Sequence, residues 1–210
     1  MQIAFALYPG LTALDFIGPY NVLSNVPGVD VVLCAAEPGL LADDNGLLHL
    51  QVATALADVP SPDIVVVPGG PARSTDAAIA DGSIVAWLRE VHPSTTWTTS
   101  VCTGSLLLGA AGILEGLKAT THWLSYDELA SYGATPTEQR VVVEGKVATG
   151  AGVSAGIDLA LTLVGLQWGE EVAQAIQLGI EYDPQPPYDA GAPSKAPAAI
   201  TELVTAVMRG

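Results

Sequence analysis

Residues 95–110 constrain the fold more than any other part of this 210-residue chain. The first half, Thr95-Thr96-Trp97-Thr98-Thr99-Ser100-Val101, is β-branched and aromatic, which suits a buried strand. The second half, Gly104-Ser105-Leu106-Leu107-Leu108-Gly109-Ala110, is small and leucine-rich, which suits a helix lying close on a sheet. Cys102 stands at the junction, followed by Thr103 and Gly104. A side chain on such a strand-to-helix turn is pushed out at the carboxyl edge of the sheet, as in a nucleophile elbow. There it meets the unpaired N–H groups of the next helix, whose partial positive charge is expected to lower the thiol pKa. A buried structural thiol is the commoner fate of cysteine. The junction favours the reactive reading.

The remaining chain alternates strand-like and helix-like segments. Residues 2–7 form an apolar strand ending in Tyr8-Pro9-Gly10. Helical spacing follows from Leu11 to Leu23, with Thr12 as N-cap, Asp15 in the first turn and Pro19 marking a bend or restart. Residues 29–36 read as a second buried strand, within which Cys34 is inert core, and Asp43-Asp44-Asn45-Gly46 is a hairpin signal. Residues 63–67 form another buried strand that ends in Pro68-Gly69-Gly70-Pro71, and residues 82–92 are helical. After the elbow come a short strand at 118–121, a helix over about 124–132, a hairpin at 140–149 and a long helix reaching Trp168. Residues 181–198, rich in proline and small residues, read as a wrap or linker before a last helix.

Continuous apolar strands alternating with helices predict an α/β fold, a three-layer sandwich with a mostly parallel sheet. With no internal repeat, residues 1–210 are expected to form a single domain. Ligands of such sheets bind outside the carboxyl ends of the strands. Three such ends, at residues 8–15, 68–71 and 102–104, are therefore expected to converge.

A net charge of −15 argues against nucleic acid and anionic membranes as partners. No apolar run approaches the roughly 18–20 residues of a membrane span. The amino-terminal segment lacks the basic region of a signal peptide, so the cytoplasm is the expected location. Cys34 and Cys102 form no CxxC, and His49, His92 and His122 have no metal-ligand spacing, so no metal is expected. The balance fits an enzyme acting on a small, neutral molecule.

Asp15 lies among Leu14, Phe16 and Ile17, where a carboxylate is expensive without a partner. It is either a helix-dipole residue or a general acid beside Cys102 with a raised pKa, and the residues alone leave these level. Gly69 and Gly70 are turn residues, or they bring backbone N–H groups to a developing negative charge. His122 is as readily structural as it is part of a site. Residues 150–156 are glycine-rich but lack a phosphate loop's lysine and spacing, so packing is the better reading.

Cys102 in Ser100-Val101-Cys102-Thr103-Gly104, Asp15 in Leu14-Asp15-Phe16-Ile17-Gly18-Pro19, and Pro68-Gly69-Gly70 together resemble the ThiJ/PfpI superfamily. Ala119-Thr120-Thr121-His122-Trp123, Gly152-Val153-Ser154-Ala155-Gly156-Ile157-Asp158 and Glu181-Tyr182-Asp183-Pro184-Gln185-Pro186-Pro187 extend the resemblance over nearly the whole chain. It implies a flavodoxin-like, class I glutamine-amidotransferase-like fold. Proteases of the superfamily pair their cysteine with a glutamate and follow it with histidine. Asp15 and Thr103 at those places are instead similar to the isocyanide hydratase branch. Regulators sharing the domain add a helix-turn-helix region, for which this acidic chain leaves no evident place.

That branch implies a lyase adding water to an isocyanide, R–N≡C, to give an N-substituted formamide. Cys102 would attack the terminal carbon once the nitrogen side is protonated. Asp15 would deliver that proton and later activate the water that resolves a thioimidate. The Gly70 and Thr103 N–H groups, with Gly69 and His122 nearby, would bind substrate and steady negative charge. No cofactor is implied, and the partner is a second copy of the chain in a homodimer. The alternatives are a glyoxalase-like or hydrolytic relative acting on a carbonyl, and a non-catalytic redox sensor oxidised at Cys102.

Overall fold

The computed structural model describes residues 1–209; Gly210, the last residue of the expected domain, lies outside the described residues. Strand β1 (Gln2–Ala6) leads into helix α1 (Ala13–Leu23), and β2 (Asp30–Ala35) follows. Then come the hairpin β3 (Gly39–Ala42) and β4 (His49–Val52), the two-residue β5 (Thr54–Ala55) and β6 (Ile64–Val67). Helices α2 (Ala72–Asp81) and α3 (Ser83–Val91) precede the elbow strand β7 (Trp97–Val101) and helix α4 (Gly104–Ala110). Strand β8 (Lys118–Ala119), helix α5 (Tyr126–Ser131) and strand β9 (Thr135–Pro136) form a small annexe. The hairpin β10 (Val141–Glu144) and β11 (Val147–Gly150) leads to helices α6 (Ala155–Trp168), α7 (Glu170–Gly179) and α8 (Ala198–Arg209).

Seven strands form one sheet in the order β10-β11-β7-β6-β1-β2-β5. Every neighbouring pair runs parallel except β10 with β11. Helices α1, α6 and α7 pack together as one flanking group and α2, α3, α4 and α5 as another, giving the expected α/β layers. The chain leaves β1 for β2 on one side and returns to β6 on the other, so the strand order reverses at β1 and β6. Crevices at such reversals are where α/β sheets bind ligands.

The sheet's centre is apolar on both faces. All four residues of β6 are buried, as are Ile3, Phe5 and Leu7. Phe5 meets Phe16 edge-to-face at a centroid distance of 5.3 Å, which ties the α1 turn carrying Asp15 to the sheet. Strand β2 departs from the expected burial, since only Cys34 and Ala35 are buried. Those two are also the residues that pair with β5, so the start of β2 is in effect an exposed edge.

Helix α1 runs unbroken through Pro19, where a bend or restart was expected. A Cβ on Gly156 would lie 3.0 Å from the Pro19 ring, so α1 and α6 approach closely there and hold the helix on course. Helices α2 and α7 have no counterpart in the expected elements. The expected strand at 118–121 shrinks to β8, which pairs with β9 outside the main sheet. Residues 181–197 carry no helix or strand and form a largely exposed arm. No helix among the described residues is long and apolar enough to cross a membrane.

Candidate active site

Cys102 adopts a left-handed backbone conformation, φ 56°, one of two non-glycine residues with positive φ among those described. Such a conformation costs about 1–3 kcal/mol and persists only where its surroundings hold it. Here the Cys102 N–H donates to the carbonyls of Gly150 at 3.0 Å and Ala151 at 2.9 Å. Its own carbonyl accepts from the hydroxyls of Thr121 at 3.0 Å and Ser105 at 3.1 Å. The expected elbow is present, braced by the loops after β8 and β11.

The three strand ends meet as expected. The Gly69 N–H donates to Asp15 Oδ2 at 3.0 Å, and the Thr12 N–H donates to the Gly69 carbonyl at 2.9 Å. The Gly70 N–H donates to Thr103 Oγ1 at 2.9 Å, while that hydroxyl donates to the Gly70 carbonyl at 2.7 Å. A Cβ on Gly69 would sit 2.6 Å from the Thr103 nitrogen and 2.9 Å from Asp15 Oδ2, so only glycine allows this approach. Thr12 is the N-cap residue, but its hydroxyl donates to Asp44 Oδ2 at 2.9 Å rather than receiving a helix N–H.

Asp15 has no solvent exposure, and its Oδ1 makes no hydrogen bond. Burial pushes its carboxyl up to about 7, against the Gly69 N–H and the Cys102 contact, with the nearby Asp44 charge adding to the rise. Cys102 is 5% exposed. Burial first, and then the Asp15 charge, push its thiol well above the usual cysteine range. The N–H groups of Val153 and Thr103 act in the opposite direction on the sulfur without offsetting burial. The lowered thiol pKa expected from the helix terminus is therefore not found. Helix α4 has only seven residues, and desolvation exceeds what two N–H groups return. Asp15 lies close enough for its charge to push the Cys102 thiol up, so a second negative charge on the pair is opposed.

The expected role of Gly69 and Gly70 as anion donors also needs correction. Both N–H groups are already spent, one on Asp15 and the other on Thr103, whose side chains reach them first. The donors aimed at the sulfur are the N–H groups of Thr103 and Val153. His122 is half-buried, and burial lowers its pKa, so its ring is neutral at pH 7. Its Nδ1 accepts the Leu124 N–H at 3.4 Å, and it makes no hydrogen bond to Cys102 or Asp15 among the described residues. It lies instead beside Gly152, whose Cβ position is 3.0 Å from its ring.

Val153, Tyr8 and Thr75 belong to the site without having been singled out in the sequence. The Tyr8 hydroxyl donates to the Pro68 carbonyl at 3.1 Å, and the Thr75 hydroxyl donates to the Gly70 carbonyl at 3.2 Å. Tyr8 lies two residues beyond β1, at the start of the Tyr8-Pro9-Gly10 turn. Thr75 sits on α2, a helix with no strong pattern, and Val153 acts through backbone that carries no signature.

A cavity of about 560 Å³ lies over residues 151–154, walled by Thr121, His122, Trp123 and Tyr126 and by residues 191–194 of the arm. It adjoins the segment whose N–H is directed at the Cys102 sulfur.

The DJ-1/PfpI family model matches residues 1–166. The chain belongs to that family. It is 42% identical over 202 residues to isonitrile hydratase of Pseudomonas putida, a match covering 96% of this chain and 87% of that protein. A crystal structure of a ThiJ/PfpI family protein from Pseudomonas syringae superposes with a TM-score of 0.93 at 38% identity, covering 99% of this chain and 87% of that one. The HTH-type transcriptional regulator CdhR of Pseudomonas aeruginosa is 29% identical over 178 residues, which span 80% of this chain but 51% of the regulator.

The raised Asp15 pKa has a consequence for stability. An unfolded carboxyl near 3.8 and a folded one near 7 mean that the folded state holds the extra proton between those values. The burial penalty is full above pH 7 and relieved as pH falls towards 4, amounting to about 4 kcal/mol at most. Asp15→Asn should therefore be more stable than wild type in urea unfolding at pH 8, with the gain shrinking towards pH 4. A constant difference across that range would show that Asp15 is not titrating as described.

Proposed function

We propose that this DJ-1/PfpI protein hydrates isocyanides to N-substituted formamides, with Cys102 as nucleophile and Asp15 as proton carrier. The observation that carries the reading is the convergence of the buried Asp15 carboxyl, its Oδ1 without a hydrogen bond among the described residues, on the strained elbow: the Gly69 Cβ position lies 2.9 Å from Asp15 Oδ2 and 2.6 Å from the nitrogen of Thr103, which follows Cys102. The 42% identity to isonitrile hydratase supports the substrate class.

The chemistry follows from a pair that holds its proton out of water. An isocyanide is neutral and narrow at its reacting end, so it brings no charge into the pocket. Its lone pair lies on the terminal carbon, so the proton goes there and not to the nitrogen side as first expected. The carbon becomes electrophilic, the sulfur bonds to it, and the product is the thioimidate R–N=CH–S–Cys102. Asp15, now unprotonated, takes a proton from water as the oxygen adds to that carbon. In the collapse the hydroxyl's remaining proton passes to nitrogen as the C=O bond forms and the C–S bond breaks, which releases R–NH–CHO and leaves the pair with the proton Asp15 took from water. The Thr103 and Val153 N–H groups stabilise negative charge on sulfur as it attacks and as it leaves. Gly70 and Thr75 hold the Thr103 hydroxyl, and Gly69 orients Asp15, which assigns these residues to positioning.

The carbonyl and sensor readings fit less well, because both favour a thiol that is ionised and exposed, and Cys102 is buried with a raised pKa. We further propose that the chain works as a single domain in the cytoplasm, in keeping with its two unpaired thiols. The exposed Leu178, Leu203 and Val207 support a homodimer. Sedimentation at micromolar concentration should give twice the chain mass, and a single-chain mass would contradict the dimer.

The direct test is formamide production from a simple aliphatic isocyanide. Wild type should turn over, Cys102→Ala should not, and Asp15→Asn should lose roughly 10²–10⁴-fold, the usual worth of a positioned acid–base. Unchanged turnover in Asp15→Asn would remove Asp15 from the proton path. Absence of turnover in wild type, with conversion of a dicarbonyl or an amide, would favour the carbonyl reading.

A further inference from the structure

A separate cavity of about 340 Å³ lies between α2 and the carboxyl ends of β1 and β2. Its volume is within the usual range for small-molecule sites. Neither Cys102 nor Asp15 lines it, and Tyr8 alone belongs both to its wall and to the site described above. The sequence of α2 makes the space. Ser74, Ala77, Ala78 and Asp81 recur at i, i+3, i+4 and i+7, so one face of the helix turns towards the cavity. That face carries two alanines where a closely packed helix needs bulk. Ala35 and Ala36, at the end of β2, leave room in the opposite wall. The rest of the lining is apolar apart from Tyr8 and Glu37.

The polar groups of the lining are few and separated. Ser74 is 9% exposed, and its hydroxyl makes no hydrogen bond among the described residues. Buried hydroxyls ordinarily have a partner, and a molecule in the cavity can supply one here. Gly10 leaves that hydroxyl its room, since a Cβ there would lie 2.4 Å from Ser74 Oγ. Asp81 stands two helical turns further on, about 10 Å along the axis. The Ser83 hydroxyl and N–H hold the Asp81 carboxyl below the usual carboxylate range, so it is charged at neutral pH. Asp81 and Glu37 are both exposed, and neither is in an ion pair among the described residues. No basic side chain among the described residues lines the cavity, and Arg73, beside Ser74, donates instead to the Asp44 carbonyl at 3.1 Å. The net charge of −15 further favours a cation.

We propose that this cavity binds an amino alcohol, with its ammonium group at Asp81, its hydroxyl on Ser74 and its methylene chain along Ala77 and Ala78. The spacing on α2 selects a chain of about five methylenes once a hydrogen bond at each end is allowed for. Glu37 adds its negative charge to the lining and so supports the ammonium group. The site is independent of the hydratase reading, because binding here requires no turnover. Its occupant rests on the helix that carries Thr75, whose hydroxyl donates to the Gly70 carbonyl at 3.2 Å.

Calorimetric titration of purified protein at low salt with 5-amino-1-pentanol, pentylammonium and 1-pentanol tests the assignment. Wild type should bind one 5-amino-1-pentanol per chain, and each of the other two about fivefold or more weakly. Ser74→Ala should reduce 5-amino-1-pentanol to the affinity of pentylammonium and leave pentylammonium unchanged. Asp81→Asn should weaken both ammonium compounds and leave 1-pentanol unchanged. Ala77→Phe fills the cavity from an exposed helix position and should abolish binding of all three. No binding to wild type at about 10 mM would overturn the proposal. Undiminished binding to Ala77→Phe would also overturn it, by showing attraction to the acidic surface alone. Equal loss of both ammonium compounds in Ser74→Ala, or no loss of either, would remove the hydroxyl contact and the amino alcohol with it.

Discussion

Two weak acids, the Asp15 carboxyl and the Cys102 thiol, are held side by side out of water. The Asp15 charge raises the cost of charging the Cys102 thiol, and burial pushes both groups up. Both are buried away from solvent, so the pair retains its proton near neutral pH and can pass it on. Much of the surrounding architecture serves that condition. Gly69 has no side chain because Thr103 and Asp15 occupy the space one would need. Thr103, Gly70 and Thr75 satisfy one another, so no stray donor competes for Asp15. The elbow strain at Cys102 is met by two carbonyls at the end of β11 and by the hydroxyls of Thr121, after β8, and Ser105, on α4.

The topology explains why the pair forms at all. Asp15 follows β1, Gly69 follows β6 and Cys102 follows β7, and these three strands are neighbours in the sheet. Their carboxyl ends therefore open onto one crevice, although up to 87 positions of chain separate the residues. The core fixes the spacing. Phe5 on β1 packs on Phe16, the residue after Asp15, and α1 lies closely against α6 through Pro19 and Gly156.

Much of this was legible in the sequence. The apolar runs of β1, β6 and β7 end in polar or glycine-rich turns, and those turns are the site. The α/β class, the elbow and the convergence follow from that pattern alone. The ionisation state of Cys102 does not, because a junction position says where a helix begins but not how deeply the sulfur is covered. Gly69 and Gly70 misled for a related reason: a glycine signals a close approach without naming which neighbour takes the N–H. Helix α2, with its alanines and scattered polar residues, has no apolar face strong enough to announce itself, and Thr75 was lost with it. Val153 contributes only its backbone. The arm was visible as a proline-rich stretch, yet its place over the cavity depends on Tyr182 meeting Asp158 across 24 positions.

Hydration through a covalent intermediate at Cys102 is the central claim, and intact-protein mass spectrometry during turnover tests it most directly. On mixing with an isocyanide and quenching in acid within the first turnovers, wild type should carry an added mass equal to the whole isocyanide, localised to the Cys102 peptide. Asp15→Asn should accumulate that species slowly, and Cys102→Ala should show none. Steady formamide release from Cys102→Ala, with no adduct on the wild-type protein, would contradict the account.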